Sequence, residues 1–280
     1  PPPPPPLFVL IPRQPISTPA DCRRQRQMCI RDSRCTWLEC DEVASRFTQT
    51  SKMTQGFFVT GTDTGVGKTL ISAALIHSMR NVNVRVSGMK PIASGCIETD
   101  HGLKNEDADM LLQASNVDAE YDLICPYRFL PPIAPHIAAQ GQGTVISIEH
   151  IMECYHRLQS TSDKIVVEGV GGWRVPLDEH KSMSDLAIEL DLPVIIVVGG
   201  RLGCINHALL TADSVLASGL SVAGWVFNLI DPDMEKIAAV KQTLQCRMPG
   251  RLIADIPWQS SPDARELSNQ LDILDVISNT

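Results

Sequence analysis

The stretch that decides the fold runs from Phe57 to Thr69 and reads FFVTGTDTGVGKT. Its first residues are apolar and favour a β-strand. A glycine-containing loop follows, and Gly67-Lys68-Thr69 leads into a stretch with helical spacing that begins at Leu70. A strand, a glycine-rich loop and a helix in this order are the context in which a phosphate-binding loop forms. The sequence therefore predicts that this loop binds the phosphates of a nucleotide.

Each part of the loop has a physical task in holding phosphate. Glycines let backbone N–H groups turn toward phosphate oxygens, and the N-terminus of the following helix adds its dipole. Lys68 is expected to reach the terminal phosphates, and the Thr69 hydroxyl is expected to bind magnesium. The spacing departs from the usual pattern, because five residues rather than four separate Gly61 from Gly67. A plain turn is the alternative, which the glycines and the predicted helix disfavour.

Strand-like and helix-like stretches alternate through the rest of the chain. The predicted strands are Phe57–Thr60, Val84–Met89, Ile165–Val167, Val194–Val198, Val222–Phe227 and Leu252–Ile256. The predicted helices are Lys68–Met79, Asp107–Ala114, Ile148–Gln159, Ser184–Leu190, Ile205–Ala217, Met234–Gln245 and Pro262–Leu274. Most strands are continuous apolar runs, which indicates a parallel sheet covered on both faces. The predicted fold class is α/β, with a parallel central sheet, helices on both faces and a P-loop NTPase-like organisation.

Residues 1–52 differ in composition from the rest of the chain. They hold nine of the twenty prolines, and 8 Lys+Arg against 5 Asp+Glu. Such a stretch buries too little apolar surface to offset the entropy lost on ordering. We expect residues 1–52 to be a disordered or non-native extension ahead of Met53, with a basic tethering arm as the alternative. Residues 53–280 are expected to form one domain.

Charge and cysteine content limit the function classes. Residues 53–280 hold 16 Lys+Arg and 27 Asp+Glu, so their net charge is −11, which disfavours nucleic acid and anionic membranes as partners. The nine cysteines show neither a CxxC pair nor metal-ligand spacing, as expected for reduced thiols. No apolar run reaches the roughly 18 residues of a membrane span, and the N-terminus lacks the order of a signal peptide. We expect a cytoplasmic protein that binds small molecules.

Polar residues stand at or just after several predicted strand ends, where a parallel sheet binds its ligands. Glu168 ends the strand that begins at Lys164, and Lys90 ends another, directly before a proline. Asp107 begins a helix, and Asn228 follows a strand. Taken alone, Lys90 is more typical of a solvated lysine and Asp107 of an acid in a first helical turn, and Asn228 also fits a turn asparagine.

The chain resembles the dethiobiotin synthetases. GTDTGVGKT matches the variant spacing of their phosphate loop, and further motifs follow in the order of that family over about residues 56–258. These motifs are KPIASG (Lys90–Gly95), N-x-D (Asn105–Asp107), VEGVGGW (Val167–Trp173), GCINHALLT (Gly203–Thr211), AGWVFN (Ala223–Asn228) and DIPW (Asp255–Trp258).

The resemblance implies an ATP-dependent ligase of biotin biosynthesis that forms carbon–nitrogen bonds. It closes the ureido ring of dethiobiotin from 7,8-diaminononanoate and carbon dioxide, with ATP and magnesium, and releases ADP and phosphate. Two other classes are alternatives: an amide-forming P-loop synthetase of the cobyrinate type, and a non-enzymatic P-loop ATPase switch. A catalytically silent relative is expected to lack Lys68, Lys90 or Glu168, and all three are present.

The resemblance also implies a role for each site residue. The catalytic residues are Lys68, Lys90 and Thr64. The nucleotide is held by Gly65, Val66, Gly67, Lys68, Thr69, Asn228 and Pro257, with Asn228 on the adenine edge. The magnesium ligands are Thr69, Asp107 and Glu168. The substrate is held by Thr64, Lys90, Ser94, Gly203, Cys204, Ile205 and Asn206. In relatives the last four residues come from the partner subunit of a homodimer, where N–H groups at a helix start bind the substrate carboxylate.

Overall fold

The computed structural model describes residues 56–273, and the predicted extension over residues 1–52 lies outside them. The strands are β1 (Gly56–Gly61), β2 (Val86–Met89), β3 (Ile92–Ser94), β4 (Ile97–Thr99), β5 (Gly102–Lys104), β6 (Tyr127–Phe129), β7 (Lys164–Gly172), β8 (Val194–Gly200), β9 (Val222–Leu229) and β10 (Arg251–Ile256). The α-helices are α1 (Lys68–Asn81), α2 (Glu106–Ala114), α3 (Tyr121–Ile124), α4 (Pro135–Gly141), α5 (Ile148–Gln159), α6 (Met183–Leu190), α7 (Cys204–Ala217), α8 (Ile237–Arg247) and α9 (Ala264–Leu267).

A six-stranded sheet forms the centre of the described residues. Its strand order is β10-β9-β8-β1-β7-β2, and every neighbouring pair is parallel. These are the six strands that the sequence predicts, so the prediction of a parallel α/β fold is confirmed. β1 lies between β7 and β8, and Val59 of β1 is level with Glu168 of β7. The carboxyl end of β1 therefore brings the phosphate loop beside the polar end of β7.

Helices cover both faces of this sheet. Alternate residues of β1 point to opposite faces, so Phe58 joins one buried cluster while Phe57 and Val59 join the other. The first cluster includes side chains of α5, α6 and α7, and the second is built around α1. Burial on both faces explains why the strands are continuous apolar runs rather than alternating ones.

The helix predicted over Pro262–Leu274 is wrong. The structure has the short helix α9 and then a 3-10 helix over Ser268–Gln270, and Leu274 lies outside the described residues. Leu267 and Leu271 are four residues apart, which is the spacing of one helical face and explains the prediction. Both are buried, but the chain turns extended beyond the 3-10 helix and the Asp272 N–H donates to Ile253 O of β10 at 3.0 Å. Tertiary contacts with the sheet edge thus override the local pattern.

The other six predicted helices are present, and α5 has the predicted ends. The sequence did not predict the short elements between β2 and α5, which are the β3–β6 pair, the β4–β5 hairpin, α3 and α4. Each holds only three to seven residues, too few for a period to be recognised. No helix within residues 56–273 is long and apolar enough to cross a membrane.

Candidate active site

The phosphate loop packs against Asn228, near the end of β9. Gly67 precedes α1 with a φ of +88°, in the left-handed region that favours glycine. A Cβ on Gly67 would lie 2.4 Å from Asn228 Nδ2, so there is no room for a side chain. Asn228 Nδ2 also donates to Val66 O at 2.9 Å. The loop conformation thus depends on glycine at 67 and on an amide at 228.

Lys68 is buried at the base of this loop. Its Nζ donates to Asp63 O at 3.1 Å. Burial, together with the positive charge of Lys90, lowers the pKa of Lys68 to about 8. An ammonium that has lost water and has little local compensation gains strongly from an incoming polyphosphate. Lys68 therefore matches the task of binding terminal phosphates.

Glu168 faces the loop from the neighbouring strand and is fully buried. Thr69 Oγ1, in the first turn of α1, donates to Glu168 Oε1 at 2.9 Å. Glu168 Oε2 has no hydrogen-bond partner among the described residues. Because a buried carboxylate oxygen without a partner is costly, this atom marks a position where a donor or a cation fits.

Lys90 connects Glu168 with Asp107. Its buried Nζ lies 2.5 Å from Glu168 Oε1 and 2.9 Å from Asp107 Oδ2. Burial disfavours the charged lysine, but the two carboxylates outweigh it, and the pKa of Lys90 is raised. Burial likewise disfavours charged Asp107, but the ammonium of Lys90 outweighs it and lowers the pKa of that carboxyl. Lys90 and Asp107 are therefore both charged at neutral pH.

These groups line one cavity of about 800 Å³. It collects nine of the predicted site residues: Thr64, Gly65, Gly67, Lys68, Thr69, Lys90, Ser94, Asp107 and Glu168. Ser94 Oγ is buried there without a hydrogen-bond partner among residues 56–273. The sequence did not predict the apolar part of the wall, which includes Leu70, Met110, Pro132, Ile133, Pro135 and Val175. The cluster of prolines between Pro131 and Pro135 was the available signal for a loop there.

Comparison with known proteins assigns the family. A family model described as an AAA domain matches residues 55–265. The ATP-dependent dethiobiotin synthetase BioD of Xanthomonas axonopodis pv. citri is 44% identical over 217 residues, covering 78% of this chain and 97% of that protein. The protein of the same name from Nitrosospira multiformis is 46% identical over 225 residues, covering 79% and 96%. The chain belongs to the dethiobiotin synthetase family. The resemblance inferred from the motifs is thereby confirmed.

Solved structures with similar folds are more distant. A ParA family ATPase from Chlorobium tepidum is 17% identical with a TM-score of 0.44, covering 82% of this chain and 94% of that chain. The MinD cell division protein of Aquifex aeolicus is 17% identical with a TM-score of 0.45, covering 78% and 88%. Scores this low carry no argument about function, so the family assignment rests on the sequence relatives.

The remaining predicted residues of this synthetase-family chain lie outside the cavity. Val66 is buried behind the loop, Asn228 contacts the loop backbone, and Pro257 is exposed just after β10. Gly203–Asn206, at the start of α7, lines a second cavity of about 760 Å³. Cys204 is buried there. Within one chain, the segment Gly203–Asn206 and the phosphate loop therefore line different cavities.

The oxygen atoms around Glu168 fit magnesium. The set consists of the Thr69 hydroxyl and the carboxylates of Asp107 and Glu168, including the unpartnered Glu168 Oε2. Magnesium prefers such hard oxygen ligands and takes others from substrate phosphates and water. No group of three or more His, Cys, Asp or Glu residues within the described range could hold a metal by itself.

The sequence did not predict one ion pair of the loop. Asp63 pairs with Arg201, which follows β8, and Asp63 Oδ1 also accepts from Thr64 N at 2.7 Å. Arg201 lines the second cavity beside Gly203. The sequence offers only the two opposite charges, because they are 138 positions apart and their proximity depends on the sheet order.

Proposed function

We propose that this chain closes the ureido ring of dethiobiotin from 7,8-diaminononanoate and carbon dioxide, at the expense of ATP. The observation that carries the proposal is the cavity in which the phosphate loop, a second lysine and two carboxylates converge, in a chain of the dethiobiotin synthetase family. The reaction needs two anions held side by side, a triphosphate and a carbamate. Lys68 and Lys90 offer one ammonium for each.

On the nucleotide side, backbone N–H groups of the loop and the Lys68 ammonium bind the phosphates of ATP. Lys68 exchanges its contact with Asp63 O for the terminal phosphate. Asn228 stabilises the loop by donating one amide hydrogen to Val66 O. Its second amide hydrogen and its Oδ1 are proposed to hydrogen-bond to the adenine edge, next to Pro257. Phosphoryl transfer then depends mainly on position and on charge stabilisation.

On the substrate side, one amine attacks carbon dioxide, forms a nitrogen–carbon bond and loses a proton to give a carbamate. A carbamate oxygen attacks the terminal phosphorus of ATP, and ADP leaves. The second amine then attacks the carbamoyl carbon and loses a proton, the ring closes and phosphate leaves. Lys90, Thr64 and Ser94 are proposed to hold the carbamate, and the unpartnered Ser94 Oγ supports this assignment.

Thr69, Asp107 and Glu168 are proposed to hold magnesium, which supplies charge neutralisation at the transferring phosphate. In the structure the Lys90 ammonium already lies between the two carboxylates. Glu168 can contact Lys90 through Oε1 while Oε2 remains available. The arrangement thus lets this chain keep Lys90 charged and still offer an oxygen to a cation.

The substrate carboxylate is proposed to bind at Gly203–Asn206 of a partner subunit in a homodimer. Gly203 precedes α7 with a φ of +93°, and the N-terminus of this fourteen-residue helix favours an anion. The Cys204 N–H donates to Arg201 O at 3.1 Å, so the proposed donors are the N–H groups of Ile205 and Asn206. This segment lines a cavity other than the one at the phosphate loop of its own chain, which supports a contribution in trans. A cytoplasmic location, and the lack of nucleic acid and membrane partners, stay predictions from the sequence.

ADP release tests the proposal. The purified chain is given ATP and magnesium alone, with bicarbonate, with 7,8-diaminononanoate, and with both. We expect ADP to form at an appreciable rate only with both, because the carbamate is the phosphoryl acceptor. Lys68→Ala is the control, and it should retain the fold while losing turnover. ADP release by the parent that ignores the diamine would contradict the proposal.

A further inference from the structure

The short helix α3 contacts both segments that meet in the cavity. At its C-terminal end, Ile124 O accepts from the Lys90 backbone N–H at 2.8 Å. At its N-terminal end, the Tyr121 hydroxyl contacts the main chain of Asn105, two residues before Asp107. The positions of Lys90 and Asp107 are therefore both defined relative to the same four-residue helix.

The Tyr121 hydroxyl makes two contacts with one buried residue. It accepts from Asn105 N at 3.0 Å and donates to Asn105 O at 3.4 Å. Burial raises the pKa of Tyr121 to about 12, so the hydroxyl keeps its proton at neutral pH and can act in both directions. Without it the buried Asn105 N–H loses its acceptor, which is unfavourable in a protein interior.

Asn105 in turn determines where α2 begins. Its Oδ1 accepts from Asp107 N at 3.1 Å and from Ala108 N at 3.3 Å, as an N-cap residue does. Asp107 lies in the first turn of this helix, and its Oδ2 reaches Lys90 Nζ at 2.9 Å. A displacement of Asn105 therefore moves the Asp107 carboxylate.

The ring of Tyr121 is held independently of its hydroxyl. Lys104 Nζ lies 3.3 Å from the ring centroid, which is a close cation–π contact. Replacing Tyr121 with phenylalanine keeps this contact and removes only the oxygen. The function of the hydroxyl can therefore be separated from that of the ring.

We propose that Tyr121 is a positioning residue, whose hydroxyl holds Asp107 within reach of Lys90 and of a cation bound beside Glu168. The inference rests on the proposed function for the assignment of Asp107 as a magnesium ligand. Groups that orient metal ligands typically change metal affinity by about 10- to 100-fold. Because Tyr121 acts through the Asn105 main chain, the effect belongs at the lower end of this range.

Tyr127 provides a matched control. Its hydroxyl accepts from Ser147 N at 2.9 Å, and Ser147 is the N-cap of α5, which contributes no residue to the cavity. Tyr121→Phe and Tyr127→Phe thus each remove a hydroxyl that accepts the N–H of an N-cap residue. Only the first is expected to affect the site.

The experiment measures ADP binding by calorimetry as a function of magnesium concentration, which does not require ring closure. For Tyr121→Phe we expect the half-saturating magnesium concentration to rise about tenfold, with normal ADP affinity at saturating magnesium. For Tyr127→Phe we expect the parent value. If the parent fails to close the ring while Tyr121→Phe still shows this shift relative to it, the proposed function fails and the role of Tyr121 stands.

A second comparison tests whether Tyr121 acts through Asp107. In an Asp107→Asn background, Tyr121→Phe should add no further change in magnesium dependence. Amide hydrogen exchange should also become faster at Asn105 and Asp107 in Tyr121→Phe, but not in Tyr127→Phe. The proposal would be overturned if Tyr121→Phe and Tyr127→Phe had the same magnesium dependence. It would also be overturned if the effects of Tyr121→Phe and Asp107→Asn on magnesium dependence were fully additive.

Discussion

Glu168 and Asp107 both contact Lys90 but lie on different elements, and their side chains differ in solvent exposure. The Glu168 side chain is fully buried, whereas 43% of the Asp107 side chain is exposed. An uncompensated charge is costlier in the buried position. We therefore expect Glu168 to contribute to folding as well as to cation binding, and Asp107 mainly to the latter.

Glu168→Gln and Asp107→Asn should each raise the magnesium requirement of ADP formation by at least about tenfold, because each replaces a charged ligand by a neutral one. Glu168→Gln should also lower the melting temperature, since buried Lys90 loses a partner. Glu106→Gln, an exposed acid in the same first turn as Asp107, is the control. Magnesium titrations that match the parent in both site variants would exclude them as ligands.

The pKa of Lys68 predicts a pH dependence of nucleotide binding. In the free protein the pKa is lowered to about 8, and a bound polyphosphate raises it again. The affinity for ADP should therefore be highest below pH 8, where Lys68 is charged. It should weaken as the pH rises above 8, by about tenfold at pH 9. Calorimetry in two buffers of different ionisation enthalpy should show proton uptake at that pH. Lys68→Met should abolish the uptake, and uptake that persists in that variant would assign it to another group.

Among the elements, the connection that follows β8 contacts the phosphate loop directly, because Arg201 pairs with Asp63. Gly199 N, within β8, also donates to Thr62 Oγ1 at 3.3 Å. The connection between β8 and α7 therefore touches the loop at one end and the proposed carboxylate site at the other. Such a contact can transmit a change at one site to the other.

Arg201→Met and Asp63→Asn should each weaken ADP binding about two- to fivefold, as expected for a partly exposed ion pair. The double variant should bind ADP no more weakly than the weaker-binding single variant, because each substitution removes the same ion pair. Arg85→Met with Asp163→Asn removes an exposed ion pair at the opposite end of the sheet and should leave ADP binding unchanged. Additive losses at Arg201 and Asp63 would show that the two residues act separately.

The central strands and main helices could be predicted because their signals are local. Val194–Val198 is apolar throughout, and the sequence from Phe57 to Thr69 carries its own loop chemistry. The contacts of Tyr121 could not be predicted, because they join short segments that have no period of their own. The same holds for the turn after α9, where contact with β10 overrides a helical pattern.

For the site, residue types were predictable and their connections were not. Lys90 and Glu168 stand at predicted strand ends, so their shared sheet edge follows from the fold class. Their 2.5 Å contact depends on the register of β2 on β7, and the bridge to Asp107 depends on the course of the segment between β2 and α2. That segment consists of short strands, and its course is set by tertiary packing.

For the whole molecule, the proposed homodimer with shared sites makes a specific prediction. Asn206→Asp places an acid in the first turn of α7, where the helix tolerates it but a substrate carboxylate is repelled. This variant should bind ADP normally and turn over poorly. Mixed with Lys68→Ala under conditions of subunit exchange, it should regain part of the activity, since one site of each heterodimer is intact. Exchange without any recovery would place both halves of the site on one chain.

The most direct measurement follows the carbon atom of bicarbonate. The chain is incubated with ¹³C-bicarbonate, 7,8-diaminononanoate, ATP and magnesium, and the products are analysed by mass spectrometry together with ADP. We predict a cyclic urea that carries the label at its carbonyl carbon, formed in equal amount with ADP, and no such product from Lys68→Ala. ADP formed without a labelled ring, or a labelled ring formed without ATP, would contradict this function.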